Sequence, residues 1–269
     1  MYTSFYGMST NPFIKDDSIK YKFESNDFKQ ALNRLNYLKE IKGIGLITGN
    51  PGLGKTFVAR YFINELNKNL YKFIYISITN DMTVFDFLKT LCNHLSLDIG
   101  SCYRTDIYVN IQNEFQRLVE QDKIQPIVIL DDAHLLTREV LSNFKIFYDF
   151  DMDSKDYVTL ILIGHPRLKD ELSKNIYETL NQRIIVNYTF KGFTRDEVKL
   201  YLESRLEIAD SNKNIFNPDA INALYSCCKS SPRRLNTLII NSLMLGFQDR
   251  LTSIDSTVIM NAKNEMDFN

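Results

Sequence analysis

The sequence predicts an α/β protein, with a parallel sheet covered by helices on both faces and followed by a small all-helical domain. Two observations predict this fold. Short apolar runs alternate with amphipathic helical patterns up to about residue 190, and only helical patterns follow. The run at residues 127–130 is entirely apolar and the run at residues 158–163 is apolar apart from Thr159, which is typical of strands buried on both faces. Strands that alternate with helices favour a parallel sheet.

The elements follow from periodicity in chain order. Phe28, Ala31 and Leu35 lie on one helical stripe and predict a helix at residues 27–40. The predicted strands are residues 44–48, 73–78, 127–130, 158–163 and 184–188. The predicted helices between them are residues 55–67, 84–94, 107–121 and 138–148.

The pattern changes after Gly192. Thr194 and Glu197 have the spacing of a capping box at the head of a helix. Pro218 and Pro232 each stand at a first helical position, and a last helix is predicted at residues 256–263. We therefore divide the chain into an α/β core of residues 1–191 and a helical domain of residues 192–269.

Composition is that of an ordinary soluble globular protein, with 44% hydrophobic and 24% charged residues. The net charge of −1 gives no general basic field, so a nucleic-acid partner needs a local patch. No signal peptide and no apolar run of about 18 residues is seen, so we expect no membrane partner. We expect a cytoplasmic protein. In that reducing compartment the four cysteines are expected to be thiols, namely Cys92, Cys102, Cys227 and Cys228.

Residues 49–56 read Gly-Asn-Pro-Gly-Leu-Gly-Lys-Thr and match the P-loop pattern at every required position. Glycines let backbone N–H groups turn toward phosphates, and the helix that follows adds its positive end. Lys55 is expected to reach the phosphate oxygens and Thr56 to bind Mg²⁺. ATP and Mg²⁺ are the predicted cofactors, and the predicted nucleotide contacts here are Asn50, Pro51, Gly52, Leu53, Gly54, Lys55, Thr56 and Phe57.

Two aspartates end the apolar run at residues 127–130. We expect Asp131 to hold Mg²⁺, directly or through water, beside Thr56. Asp132 is the candidate that orients the attacking water. The structural alternative is an Asp-capped turn at a strand end.

With these motifs in place, the sequence resembles the AAA+ ATPases, and within them the ExeA-type branch with the DNA-transposition helpers of the Mu B, TnsC and TniB kind. The resemblance extends over nearly the whole chain. It is carried by residues 5–8 and 11–13, 49–56 (Walker A), 130–136 (Walker B), 162–168 (sensor 1), 180–184 (arginine finger) and 231–236 (sensor 2). It implies an ATPase that assembles with itself, and it makes the C-terminal helical domain a lid.

The resemblance also implies residue roles. His165 would place a polar side chain near the γ-phosphate, although a histidine there can also only cap a loop. Arg183 would act in trans as the arginine finger, or else form a surface salt bridge. Arg233, rather than its neighbour Arg234, would be sensor 2, with a solvated helix start as the alternative. The segment expected to border the adenine is Asn11, Pro12 and Phe13.

Asp132 departs from the family pattern, which usually has glutamate at this position. Aspartate is one methylene shorter, and placement of the attacking water is sensitive to about 1 Å. We therefore expect slow hydrolysis, which suits a regulator better than a motor.

Three functions fit this pattern. The first is a DNA-transposition helper that binds duplex DNA non-specifically and recruits or activates a transposase. The second is an ExeA-like secretion or envelope-assembly ATPase, and the third is a P-loop switch that binds only protein. The chain shows no membrane span after the lid, which favours the first. A DNA groove could draw on basic residues that are otherwise solvated charges, namely Lys68, Lys72, Arg104, Arg138, Lys145 and Arg167.

Overall fold

The computed structural model describes residues 2–14, 22–98, 103–151, 155–211 and 214–267. The chain forms two compact units. The first, here called the sheet unit, comprises Gln30–Asn50 and Lys55–Phe190. The second, here called the helical unit, comprises Met1–Lys29, Pro51–Gly54 and Lys191–Asn269.

The sheet unit is built on five parallel strands in the order β2-β3-β4-β1-β5. The predicted fold class, a parallel sheet with a helical C-terminal part, is confirmed. Strand β4 is buried at every position and β3 at every position but its first, because each lies between two other strands and under helices. The strands are β1 Gly43–Thr48, β2 Tyr71–Ser77, β3 Gln125–Asp131, β4 Thr159–Gly164 and β5 Ile184–Thr189.

Twelve α-helices occur in the described part of the chain. Several are longer or shorter than their periodicity predicts by up to four residues at an end, and the four-to-six-residue helices α1, α7 and α8 were not predicted at all. The helices are α1 Tyr2–Phe5, α2 Asn26–Ile41, α3 Lys55–Glu65, α4 Val84–Leu95, α5 Arg104–Glu120, α6 Arg138–Ser142, α7 Arg167–Leu172, α8 Glu178–Asn181, α9 Arg195–Ile208, α10 Pro218–Cys228, α11 Pro232–Gln248 and α12 Ser256–Asp267.

The single helix predicted at residues 138–148 is wrong. Helix α6 ends at Ser142, and a 3₁₀ turn, Phe144–Phe147, follows Asn143. The Asn143 side chain donates a hydrogen bond to the carbonyl oxygen of Glu139 at 2.6 Å, which competes with helix continuation. The turn buries Phe144 and Phe147, whose rings lie 6.0 and 6.1 Å from that of Phe87.

The helical unit packs around α9–α12. The predicted capping box of α9 is present, because the N–H of Thr194 donates to Glu197 at 2.8 Å and the N–H of Glu197 donates to Thr194 at 3.3 Å. Helices α10 and α11 begin at Pro218 and Pro232, as predicted. Leu224, Leu235 and other apolar side chains of α9–α12 form one buried cluster.

The N-terminal segment belongs to the helical unit, whereas our sequence-based division placed it with residues 1–191. Phe13 is 1% exposed in the buried cluster of that unit, and the Tyr6 hydroxyl donates to the carbonyl oxygen of Leu251 at 3.0 Å. The Asp27 carboxylate accepts the N–H of Gly192 at 2.7 Å. These contacts join residues far apart in the chain, so sequence periodicity could not reveal them.

In the described ranges, no helix combines the length and the apolar character needed to cross a bilayer. Cys92, Cys227 and Cys228 are buried, and Cys102 lies outside the described residues.

Candidate ATP site

The P-loop at residues 49–56 connects the carboxyl end of β1 with the first turn of α3. Gly52 and Gly54 have φ angles of 80° and 96°, which side chains with a Cβ rarely adopt. The Lys55 ammonium donates to the carbonyl oxygens of Gly49 at 2.8 Å and Asn50 at 2.9 Å, and so lies across the first half of the loop. Helix α3 has eleven residues, and its free N–H groups and positive end favour an anion at this point.

Thr56 and Asp131 come together as predicted. The Thr56 hydroxyl donates to Asp131 Oδ2 at 2.7 Å, and Asp131 is 5% exposed at the end of β3. The second oxygen, Oδ1, accepts the N–H of Asp132 at 2.9 Å. A hydroxyl and a carboxylate are the hard oxygen ligands that Mg²⁺ prefers, so this pair fits the metal.

A third group holds the same carboxylate. The Tyr75 hydroxyl, on β2, donates to Asp131 Oδ2 at 2.9 Å. Burial raises the pKa of the Tyr75 phenol, and the hydrogen bond to Asp131 raises it further. The phenol therefore remains a proton donor at neutral pH.

Asp132 has an unusual backbone. Its φ and ψ angles of 53° and 33° lie in the left-handed region, which is uncommon for residues other than glycine. Its side chain is 57% exposed, and Oδ1 lies 4.0 Å from Nδ1 of His134. Backbone strain of this kind is concentrated at functional sites.

His165 follows β4 directly, at the same edge of the sheet as the P-loop and Asp131. Its Nδ1 accepts the N–H of Arg167 at 3.3 Å, which places the proton of the neutral ring on Nε2. Burial lowers the pKa of His165, and the charges of Arg167 and His134 lower it further. The centres of the His134 and His165 rings lie 6.0 Å apart. A Cβ at Gly164 would come within 3.1 Å of the backbone nitrogen of His134. The absence of a side chain at Gly164 therefore permits the close approach of these two loops.

Arg183 stands one residue before β5. Its guanidinium carbon lies 4.4 Å from the centre of the Tyr148 ring, within the range of a cation–π contact. Nothing in these contacts tests a role in trans, so Arg183 as arginine finger stays a prediction.

In the helical unit, the tip of the P-loop contacts the start of α11. The N–H of Arg233 and the hydroxyl of Ser231 donate to the carbonyl oxygen of Gly52 at 3.3 and 3.4 Å. A Cβ on Gly52 would lie 3.0 Å from the Cβ of Arg233. The N–H of Arg234 instead donates to its cap, Ser231, at 3.4 Å. Of the two arginines, Arg233 is thus placed beside the P-loop, although its role as sensor 2 remains a prediction.

The segment expected to border the adenine lies in the helical unit. The Phe13 ring is buried there, and the backbone N–H of Phe13 donates to the side chain of Asn11 at 3.1 Å. Phe13 therefore supports the segment from within, and contacts of Asn11 and Pro12 with the base stay predictions. In the first turn of α3, Phe57 is half-buried, and the Arg60 guanidinium lies 5.7 Å from the centre of the Phe57 ring.

His134 and Ser231 lie in segments that the sequence already assigns to the site, whereas sequence reasoning missed Tyr75. Tyr75 carried no local signal, because its approach to Asp131 depends on the register of β2 against β3.

Comparisons with known proteins agree with this geometry. Residues 39–172 match the model of a family described as the AAA domain. These residues form an AAA+ ATPase domain. ATP with Mg²⁺ is the nucleotide of this domain, and ATP hydrolysis is its reaction.

Two curated relatives are similar over most of the chain. General secretion pathway protein A of Aeromonas hydrophila is 29% identical over 252 residues, which cover 92% of this chain and 45% of that protein. The chain thus spans less than half the length of this relative. A potential ATP-binding protein of Staphylococcus aureus is 21% identical over 271 residues, covering 90% of this chain and 95% of that protein.

Solved structures show the same fold. Cdc6p from Pyrobaculum aerophilum has a TM-score of 0.69 at 16% identity and covers 92% of this chain and 68% of its own. The Aeropyrum pernix ORC2 protein, in ADPNP–ADP complexes, has a TM-score of 0.68 at 15% identity. The match covers 96% of this chain and 72% of that structure. The Thermotoga maritima RuvB Holliday junction branch migration motor has a TM-score of 0.62 at 17% identity. The match covers 96% of this chain and 74% of that structure. At these identities the likeness concerns the fold alone.

Proposed function

We propose that this ATPase is a nucleotide-dependent switch of the General secretion pathway protein A kind, which assembles with itself in the ATP state and acts on a protein partner. One observation carries the proposal. The similarity to that protein covers 92% of the chain, whereas the AAA domain match covers only residues 39–172. The resemblance therefore includes the helical unit, where a switch of this kind passes on its nucleotide state.

The proposed chemistry combines the site residues with one residue of a neighbouring subunit. Lys55 would neutralise phosphate charge at the P-loop, and Thr56 and Asp131 would hold Mg²⁺. Asp132 orients the attacking water, with His165 as a neutral polar neighbour at the same edge of the sheet. Arg183 of a neighbouring subunit supplies positive charge to the transferring phosphoryl group.

The link between nucleotide and helical unit is the Gly52 carbonyl group. It lies in the loop that surrounds the phosphates, and it accepts hydrogen bonds from Ser231 and Arg233 at the start of α11. A shift of the loop on nucleotide binding thus acts directly on the first turn of a seventeen-residue helix. This arrangement suits a switch, because loop and helix are joined at one point.

A second candidate is the predicted DNA-transposition helper, which binds duplex DNA and recruits a transposase. One observation favours it. Lys39, Lys42 and Lys123 line a cleft of about 400 Å³ with Tyr71, and Glu40 is the acidic residue there. Phosphate backbones are held by such groups of lysines. This cleft differs from the basic residues proposed on sequence grounds.

Binding to a labelled, random-sequence DNA duplex distinguishes the two. Fluorescence anisotropy is measured with ATP, with ADP and without nucleotide, at one stated salt concentration, for the wild type and Lys55→Ala. The switch proposal expects no tight binding in any state while ATP binding is intact. Tight binding with ATP alone, lost in Lys55→Ala and in a Lys39→Ala, Lys42→Ala, Lys123→Ala variant, would overturn it in favour of the DNA helper.

A further inference from the structure

The edge strand β2 places an aromatic side chain against the carboxylate expected to hold Mg²⁺. Tyr75 is 36% exposed as a residue, yet its hydroxyl donates to Asp131 Oδ2 at 2.9 Å. We propose that Tyr75 is a positioning residue of the Mg²⁺ site, which fixes the carboxylate of Asp131 so that Oδ2 stays directed at Thr56. The proposal rests on the ATPase function and adds a residue to that site.

The carboxylate of Asp131 has three hydrogen-bond donors. Oδ2 accepts from Thr56 at 2.7 Å and from Tyr75, and Oδ1 accepts the N–H of Asp132 at 2.9 Å. The last torsion of an aspartate is broad, so the plane of the group is set by its partners. Thr56 keeps its oxygen lone pairs for Mg²⁺ because its hydroxyl proton is directed at Asp131. Among the described hydrogen bonds, Thr56 alone would hold Oδ2 without the phenol.

The strand register explains how the phenol reaches this carboxylate. Tyr75 pairs with Ile129, and Ser77 pairs with Asp131. Since side chains alternate along a strand, Tyr75 and Asp131 lie on one face as diagonal neighbours. A tyrosine spans this diagonal, whereas a serine or threonine at position 75 is too short to do so.

A packing role alone does not explain the tyrosine. Neighbouring Ile74 and Ile76 are 0% and 3% exposed and provide the buried face of β2, whereas the face of Tyr75 is open. The ring is only partly buried, and the hydroxyl makes a specific contact that burial of the ring alone does not require. Groups that orient metal ligands in this way typically contribute about 10- to 100-fold in metal affinity.

The test removes the hydroxyl alone. ADP binding to Tyr75→Phe and to the wild type is measured by calorimetry, first with EDTA and then across a Mg²⁺ titration. We expect the affinity in EDTA to change less than about twofold, because Tyr75 does not contact the P-loop lysine or glycines in the described hydrogen bonds. The Mg²⁺ concentration for half-maximal enhancement of ADP binding should rise about 10-fold.

The matched control is Tyr71→Phe, on the same strand and the same face. The Tyr71 ring faces the Lys39 ammonium, 5.7 Å from its centre, and is not joined to Asp131 by any described contact. Its Mg²⁺ half-saturation should equal that of the wild type. Asp131→Asn serves as the comparison in which the Mg²⁺ enhancement is largely lost.

Two results would overturn the role of Tyr75. One is a wild-type Mg²⁺ half-saturation in Tyr75→Phe, and the other is an equal loss of ADP affinity with and without Mg²⁺, whatever the melting temperature of the variant. A wild type whose ADP binding ignores Mg²⁺ would instead contradict the ATPase site itself. The two failures are therefore distinguishable.

Discussion

Asp132 combines two departures from what its position normally requires. Its side chain is one methylene shorter than the glutamate usual in the family, and its backbone is left-handed, with φ 53°. The side chain is more than half exposed and its carboxylate lies 4.0 Å from the His134 ring nitrogen. The carboxylate is therefore loosely held, and slow hydrolysis through poor placement of the attacking water stays our prediction.

Asp132→Glu should raise the hydrolysis rate constant at saturating Mg²⁺ and ATP by about 10-fold or more. A longer side chain brings the carboxylate closer to the attacking water, and an error of about 1 Å can cost about 100-fold. Phosphate release at steady state measures the effect. Asp132→Asn is the control and should be slower than the wild type while it still binds ATP. An unchanged or lower rate in Asp132→Glu would refute the loose-placement explanation.

His165 should titrate below the ordinary histidine pKa of about 6.5. Burial is the main cause, with Arg167 and His134 adding to it. The folded protein thus binds this proton later than the unfolded chain as pH falls. The contribution of His165 to the free energy of unfolding is accordingly lost from about pH 6.5 down to its folded pKa.

NMR titration of the ring protons checks this, since the chain has three histidines and His165→Asn identifies the signal. We expect the His165 midpoint to lie below about 6.5, the ordinary value for histidine. A midpoint at or above 6.5 would show that the ring is charged in part at neutral pH, contrary to its proposed role as a neutral group.

At the scale of elements, short sequence patterns were sufficient to predict an element whose hydrogen bonds join residues close in the chain. The P-loop, the strand before Asp131 and the capping box of Thr194 with Glu197 all follow from short sequence patterns. The end of the helix at Asn143 could not be predicted in this way, because Phe144 and Phe147 keep the apolar spacing of a helix. Their burial against Phe87 selects a 3₁₀ turn instead.

The site was predictable to the same extent. Lys55, Thr56 and Asp131 were found from motifs, and their contacts agree with the expected arrangement. Tyr75 was not predicted, because only the pairing of β2 with β3 shows that it reaches Asp131. Long-range register is not contained in any local pattern.

Thr194→Ala should lower the free energy of unfolding of the helical unit by about 1 kcal/mol, since it removes the side-chain cap of α9. The Glu197 partner also accepts the N–H of Asn26 at 2.6 Å, so α9 and the start of α2 are weakened together. Urea denaturation followed by circular dichroism measures the change. Thr252→Ala, at an exposed position, should stay within about 0.5 kcal/mol of the wild type. Equal stability of the two variants would mean that the cap contributes nothing.

At the scale of the whole molecule, the P-loop is the element that both units share. Gln30–Asn50 and Lys55–Phe190 belong to the sheet unit, whereas Pro51–Gly54 belong to the helical unit. With a net charge of −1, the molecule has no general attraction for nucleic acid, so any DNA binding would depend on a local basic patch.

Sedimentation velocity is the most direct measurement of whether ATP controls assembly. The wild type, Lys55→Ala and Arg183→Ala are compared with Mg²⁺ and ATP, with Mg²⁺ and ADP, and without nucleotide. We predict a faster-sedimenting species for the wild type with ATP alone, absent in Lys55→Ala and reduced in Arg183→Ala. One sedimentation coefficient in all three states, with ATP binding verified by calorimetry, would contradict the switch.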